Sequence, residues 1–129
     1  MITIAVVAIL ASVALPNYLA YVARSKVPAG LDGLSALATR MEQYYQDTGR
    51  YGTATCGQGM VLTAPSKDYA TLTCALTNGG QGFTATATGT GTLAGYTYTI
   101  DQTGARRTTS HPKGNNLTCW SIKGTICDA

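Results

Sequence analysis

The first residues, Met1-Ile-Thr-Ile-Ala-Val-Val-Ala-Ile-Leu-Ala-Ser-Val-Ala-Leu-Pro-Asn-Tyr-Leu-Ala-Tyr-Val-Ala23, carry no charged side chain. As one helix rising 1.5 Å per residue, the stretch spans roughly 34 Å, against a hydrocarbon core of about 30 Å. Ile2, Ile4, Val6, Val7, Ile9, Leu10, Val13 and Leu15 precede the proline at Pro16. Each of the eight favours the bilayer centre by roughly 0.3 to 0.6 kcal/mol, about 2.5 to 5 kcal/mol together. A cleaved secretory signal is the rival, because Ser12-Val13-Ala14 has a small-x-small pattern. No Lys or Arg stands before the apolar run, and the helical pattern continues past that site, so a membrane or bundle-core helix is the better account.

Outward from this stretch the first charges are Arg24 and Lys26, after which the pattern becomes one-sided. Val27, Leu31, Leu34, Leu37, Met41, Tyr44 and Tyr45 fall mostly three or four apart, with Asp32, Ser35, Arg40, Glu42, Gln43 and Asp47 between them. That spacing predicts an amphipathic helix. Its signal stops at Thr48-Gly49-Arg50-Tyr51, where Gly49 suits a left-handed C-cap. Pro16 and Pro28 interrupt the run, so the expected object is one long kinked helix of about 70 Å. Its first half needs apolar surroundings on every side, and its second half needs a small domain against one stripe.

Past the helix the period becomes two. Tyr69–Leu76 reads as a strand bounded by Asn78-Gly79-Gly80, Phe83–Thr88 alternates apolar residues with Thr, and Tyr96, Tyr98 and Ile100 share one face of a third strand. Asp101-Gln102-Thr103-Gly104 is a turn, with Ala105–Ser110 pairing back. The expected fold is therefore α+β: the long helix packed on a roughly four-stranded antiparallel β-meander. One sheet face covers Leu34, Leu37, Met41 and Tyr45, and the Thr-rich face looks outward. The expected division is 1–26 for the hydrophobic half of the helix and 27–129 for a globular head. Within the head fall helix 27–49, a loop 50–68, the meander 69–110 and a C-terminal loop 111–129.

The whole chain has 129 residues, only 12% of them charged, and a net charge of +3. That length excludes a two-domain enzyme with a cleft between halves. The small net charge argues against disorder and against a nucleic-acid binder driven by bulk charge, leaving local basic patches open. Cys56, Cys74, Cys119 and Cys127 contain no C-x-x-C pair and the chain has one His, so a zinc site lacks both ligand spacing and ligand number. A disulfide framework in an oxidising compartment accounts for them better. Four Cys allow three pairings; the sequential one, Cys56–Cys74 and Cys119–Cys127, closes two short loops. Arg24 and Lys26 alone would place the following domain on the cytoplasmic side, but the paired cysteines outweigh two flanking charges.

Several blocks together resemble a known family. Ala-Ser-Val-Ala-Leu-Pro-Asn-Tyr-Leu-Ala-Tyr-Val-Ala-Arg-Ser-Lys-Val at 11–27, the Met41–Tyr51 block, Ala94-Gly-Tyr-Thr-Tyr-Thr-Ile-Asp-Gln-Thr-Gly104 and Cys119-Trp120 with Cys127 look like a type IV pilin of Gram-negative bacteria. The order of blocks is most similar to PilE-type minor pilins. The resemblance implies a type IV pilin fold, with a helix whose first half sits in the inner membrane before assembly and in the filament core afterwards. It implies a disulfide-bonded head, periplasmic at first and later outward-facing on an extracellular pilus. Other pilin subunits are the partners it implies, through the N-terminal helix. Pilins also carry a basic leader, a Gly cleavage site and a Phe-Thr-Leu-Ile-Glu block just before the stretch that begins here at Met1. Their absence leads to the expectation of a chain truncated at its front.

Catalytic chemistry finds no support in the residues. His111 beside Pro112 reads as a solvated loop histidine, Glu42 and Asp47 do not share a helix face, and no Gly-rich turn opens a helix. The chain is expected not to be an enzyme and to use no cofactor, metal or small-molecule substrate. Arg106, Arg107, Lys113 and Lys123 are the candidate contacts for DNA or a surface, with a charged edge strand that discourages stray pairing as the favoured alternative. Asn116-Leu117-Thr118 matches a glycosylation triplet of the kind common by chance. Trp120 is expected to pack on its neighbouring disulfide. The leading function is a structural subunit of a type IV pilus, serving assembly, motility or adhesion. The alternatives are a DNA-binding minor pilin of an uptake pilus, a type II secretion pseudopilin and a major pilin. The cysteines, and the lack of an acidic cluster suited to calcium, count against the pseudopilin.

Overall fold

The computed structural model describes residues 1–114 and 116–129. One helix, α1, runs unbroken from Ile2–Thr48 with Pro16 and Pro28 inside it. Gly49 ends it at φ 79°, ψ 7°, a left-handed conformation that costs an L residue energy but suits glycine, and its N–H donates to Tyr45 O at 2.7 Å. The buried stripe is Val27, Leu31, Leu34, Leu37 and Met41, at the spacing read from the sequence, with Gly30 buried among them. Every residue from Met1 to Leu19 is exposed.

Four strands follow, β1 (Thr73–Thr77), β2 (Gly82–Thr88), β3 (Thr97–Asp101) and β4 (Arg106–Ser110). They pair antiparallel in sequence order, an up-and-down meander. Register puts Phe83, Ala85 and Ala87 of β2 beside Tyr98 and Ile100 of β3 on the face that meets α1. Phe83, Tyr98, Leu34 and Met41 are wholly buried there. The two alanines leave room for the helix to approach, while Phe83 and Tyr98 fill the ends of the contact. The opposite face carries Thr73 and Thr77, then Thr84, Thr86 and Thr88, then Thr97 and Thr99.

Two sequence expectations need correcting. The strand anticipated over Tyr69–Leu76 begins only at Thr73, and Tyr69 makes an isolated bridge to Gly89. Tyr69 and Leu72 are both buried, and residues three apart cannot share one face of a regular strand, so the chain breaks between them. Tyr69 packs against α1 at Gly30, its hydroxyl donating to Val27 O at 2.9 Å. The second correction concerns His111, which is buried rather than solvated: its ring meets Tyr96 edge-on at 4.7 Å.

The disulfides join Cys56 to Cys74 and Cys119 to Cys127, and no described cysteine is free. The first ties the loop after α1 to β1. In the chain-entropy account a loop of that length contributes roughly 3 kcal/mol. The second closes the tail, whose backbone is held chiefly by side chains. Thr108 Oγ1 donates to Cys119 O and accepts from Ser121 N–H, and Tyr98 Oη donates to Ser121 O. Ser121 Oγ accepts from Gly124 N–H, and the Asp128 carboxylate accepts from Ile122 and Lys123 N–H.

Candidate interaction surfaces

The first surface is the bare half of α1. Ile2, Ile4, Val6, Val7, Ile9, Leu10, Val13 and Leu15 run from 48% to 82% exposed, and Pro16 is exposed among them. The helix contains a window of mean hydropathy 2.0 in which no residue is buried. Exposed apolar surface on this scale marks a place where something else must cover it. Where the helix meets the head, Lys26 Nζ sits 3.5 Å from Asp68 Oδ1 and 3.3 Å from Thr92 Oγ1. Thr92 Oγ1 also donates to that carboxylate at 2.8 Å. The Thr92 hydrogen bond, helped by the Lys26 charge and opposed by burial, holds the Asp68 carboxyl below its ordinary range. At the far end of the helix, Tyr51 Oη donates to Glu42 at 2.6 Å. Burial, with the Glu42 hydrogen bond and charge behind it, pushes that phenol up to about 12.

The second surface is the basic set, and the structure disperses it. Arg106 pairs with Ile100 and lies on the helix-facing side of β4, its guanidinium 4.4 Å over the Trp120 ring. Trp120 is buried and donates its indole N–H to Thr99 O at 2.9 Å. Arg107 pairs with Thr99 and so projects from the opposite face, at the end of a cross-strand row Thr73, Thr86, Thr99. Beside it the Asp101 carboxyl is pushed up by burial, but hydrogen bonds from Thr103 and Ala105, with the Arg107 charge, win and hold it below its ordinary value. Lys113 sits in the turn after β4, and Lys123 lies on the tail loop, sharing a cleft with Tyr21 and Arg24 of α1. The four candidate contacts are therefore not brought together on one face. Neighbours along a strand point to opposite faces, so Arg106 and Arg107 were bound to separate once β4 formed.

His111 organises the tail beside them. Its Nδ1 accepts Lys113 N–H at 3.0 Å, which leaves Nε2 to carry the proton and donate to Ile122 O at 2.8 Å. A carbon on Gly124 would strike that ring, so only glycine lets the loop pass. No motif announced this role, because Lys113 N–H and Ile122 O are backbone groups. Among the described residues no three His, Cys, Asp or Glu side chains gather at metal-binding distance.

The family model described as "Type IV minor pilin ComP, DNA uptake sequence receptor" matches residues 16–98. The chain belongs to this minor pilin family. The matched span takes in the head half of α1, the loop after it and β1 to the start of β3. Arg106, Arg107, Lys113 and Lys123 lie beyond it. Among solved structures this pilin is similar to a type IV pilin from Shewanella oneidensis known at high resolution, at 25% identity and a TM-score of 0.49. That likeness covers 70% of this chain and 89% of the other. No curated protein matches it. Pilins are structural proteins, and the long apolar helix under a disulfide-bonded head is this pilin's version of their fold.

Proposed function

We propose that this minor pilin is a structural subunit of a type IV pilus. The apolar half of α1 lies first in the inner membrane, with the head periplasmic, and then among the helices of other subunits in the filament core. The observation that carries the reading is the bare run Ile2–Leu15, which a folded head leaves wholly uncovered. A bilayer and a helix bundle both supply apolar contact on all sides, so one sequence serves both stages. Changing Val7 or Ile9 to Lys costs roughly 3 kcal/mol of insertion each and leaves the head untouched. Such variants are expected to keep a disulfide-bonded, protease-resistant head and to vanish from sheared pili. Normal incorporation of Val7→Lys into filaments counts against the reading.

A second reading, DNA capture by the head, is favoured by the family description, which names a DNA uptake sequence receptor. Arg107 supports it as an exposed guanidinium in line with Thr hydroxyls, groups that together suit phosphate contacts. Gel-shift titration of the full chain in detergent, at low and moderate salt, tests it. Arg107→Ala is expected to weaken binding and flatten the salt slope by about one phosphate contact. Absence of any shift at low salt ends this reading and leaves the structural one standing.

A further inference from the structure

Five of the nine Lys and Arg residues of this pilin lie toward one end of the head, the end from which the bare half of α1 departs. Lys26 is bonded there to Asp68 and Thr92, with Lys67 next in the chain. The turn after β4, which carries Lys113, abuts the same end: Ser110 Oγ donates to Gly95 O, and a Cβ on Gly114 would stand 2.8 Å from Gly124 O. Tyr21, Arg24 and Ser25 of α1 share an open cleft of about 340 Å³ with Ile122, Lys123 and Asp128 of the tail loop. Five cations, Arg24, Lys26, Lys67, Lys113 and Lys123, thus face two acids, Asp68 and Asp128, leaving three positive charges. That is the net charge of the chain. The other four cations, Arg40, Arg50, Arg106 and Arg107, are matched in number by Asp32, Glu42, Asp47 and Asp101, and of these Arg106 and Asp32 line a neighbouring pocket with Ile122 and Asp128.

We infer that the cleft between Tyr21–Ser25 and the tail loop holds the phosphate headgroup of an anionic phospholipid, with Arg24 and Lys123 as its ligands. The inference rests on the membrane-inserted reading given above. The exposed apolar run ends in Tyr18 and Tyr21 just before Arg24, the first charged side chain, which sets these tyrosines in the interface where tyrosines collect. Arg24 stands roughly 5 Å further along, at phosphate depth. Lys123 reaches the same place from the far end of the sequence. Neither cation is in an ion pair among the described residues, where Lys26–Asp68 is the single bridge. Asp128 is the acid within the cleft, and both of its oxygens are turned to the amides of Ile122 and Lys123. The cleft walls are chiefly apolar, which suits the glycerol and upper acyl carbons below a phosphate. Cations beside the helix exit thereby have a use on the periplasmic side, where a count of flanking charge alone would put the domain in the cytoplasm.

The test uses the full chain in nanodiscs of phosphatidylcholine, alone or mixed with phosphatidylglycerol. It reads the lipid retained on mild detergent release, by native mass spectrometry, and amide exchange over residues 121–128. Phosphatidylglycerol is expected to be enriched on the protein and to slow exchange of the tail loop. Arg24→Gln and Lys123→Gln should each lower the enrichment about fivefold, as expected for one charge near an anionic surface, with Arg24→Lys retaining most of it. Arg107→Gln, on the outer sheet face, should leave it unchanged. Equal retention of both lipids by an inserted wild-type chain overturns the inference, as does an Arg107→Gln loss equal to that of Lys123→Gln. Protection of the loop by a short DNA duplex with phosphatidylglycerol inert overturns it in favour of DNA. A chain that enters neither bilayer overturns the membrane reading along with it.

Discussion

Replacing Gly30 by Ala ought to help a helix, since alanine is favoured over glycine in a helix interior by about 1 kcal/mol. Here it should do the opposite. A Cβ at Gly30 would stand 2.3 Å from Tyr69 Cζ and 2.6 Å from both its Cε1 and hydroxyl oxygen. Tyr69 is buried, with its hydroxyl bound to Val27 O, so the ring cannot swing aside without leaving its pocket. Overpacking costs about 1–3 kcal/mol and the lost hydrogen bond about 0.5–1.5 kcal/mol, against the gain of about 1 kcal/mol in propensity. The net expectation is a loss of about 0.5–3.5 kcal/mol, which for a head of this size lowers Tm by roughly 2–28 °C. Thermal unfolding of the full chain in detergent, followed by near-UV circular dichroism, measures it. In a Tyr69→Leu background the ring is gone and Gly30→Ala should turn neutral or stabilising. Gly33→Ala, whose Cβ would sit 3.0 Å from Pro65 Cβ, is the milder comparison. A higher Tm for Gly30→Ala in the wild-type background refutes the close packing of Tyr69 on α1.

Asp68 titrates below its unfolded value, so it stabilises the fold at pH above about 4, and that contribution drains away as pH falls through the folded pKa. Tm measured against pH should fall on the acid side for the wild type and fall less for Asp68→Asn, whose Tm at neutral pH starts lower; parallel curves contradict this. Removing the imidazole in His111→Ala takes a partner from Ile122 O and Lys113 N–H, both only part-buried, at about 0.5–1.5 kcal/mol for each hydrogen bond lost. The result should be faster amide exchange in the tail loop with the sheet amides unchanged, and equal exchange throughout would show that His111 does not hold the tail.

What the sequence made legible followed from periodicity. Leu34, Leu37 and Met41 announced the buried stripe by their spacing, Gly49 announced the helix end, and Thr alternating with Ala in β2 announced which face would look outward. What it hid depended on contacts between distant segments. Tyr69 looks like the first residue of a strand until α1 offers Gly30 and Val27 O, and then the helix claims it. His111 looks like a loop residue because its partners, Lys113 N–H and Ile122 O, have no side-chain signature. The separation of Arg106 from Arg107 was readable, since a strand had been expected there and a strand turns neighbouring side chains to opposite faces. The meeting of Arg24 with Lys123 was not readable, because it needs the whole meander and tail to fold first.

The tail from Cys119 to Cys127 is gripped at its base by Thr108, Tyr98, His111 and Asp128, while Thr125 and Ile126 at its tip are exposed. Base and tip are thus chemically independent, like a socket and the plug it accepts. Substitutions or short inserts between Gly124 and Cys127 meet neither the sheet nor the helix. A filament carrying this head would present that tip as a replaceable label, open to change in recognition without change in assembly.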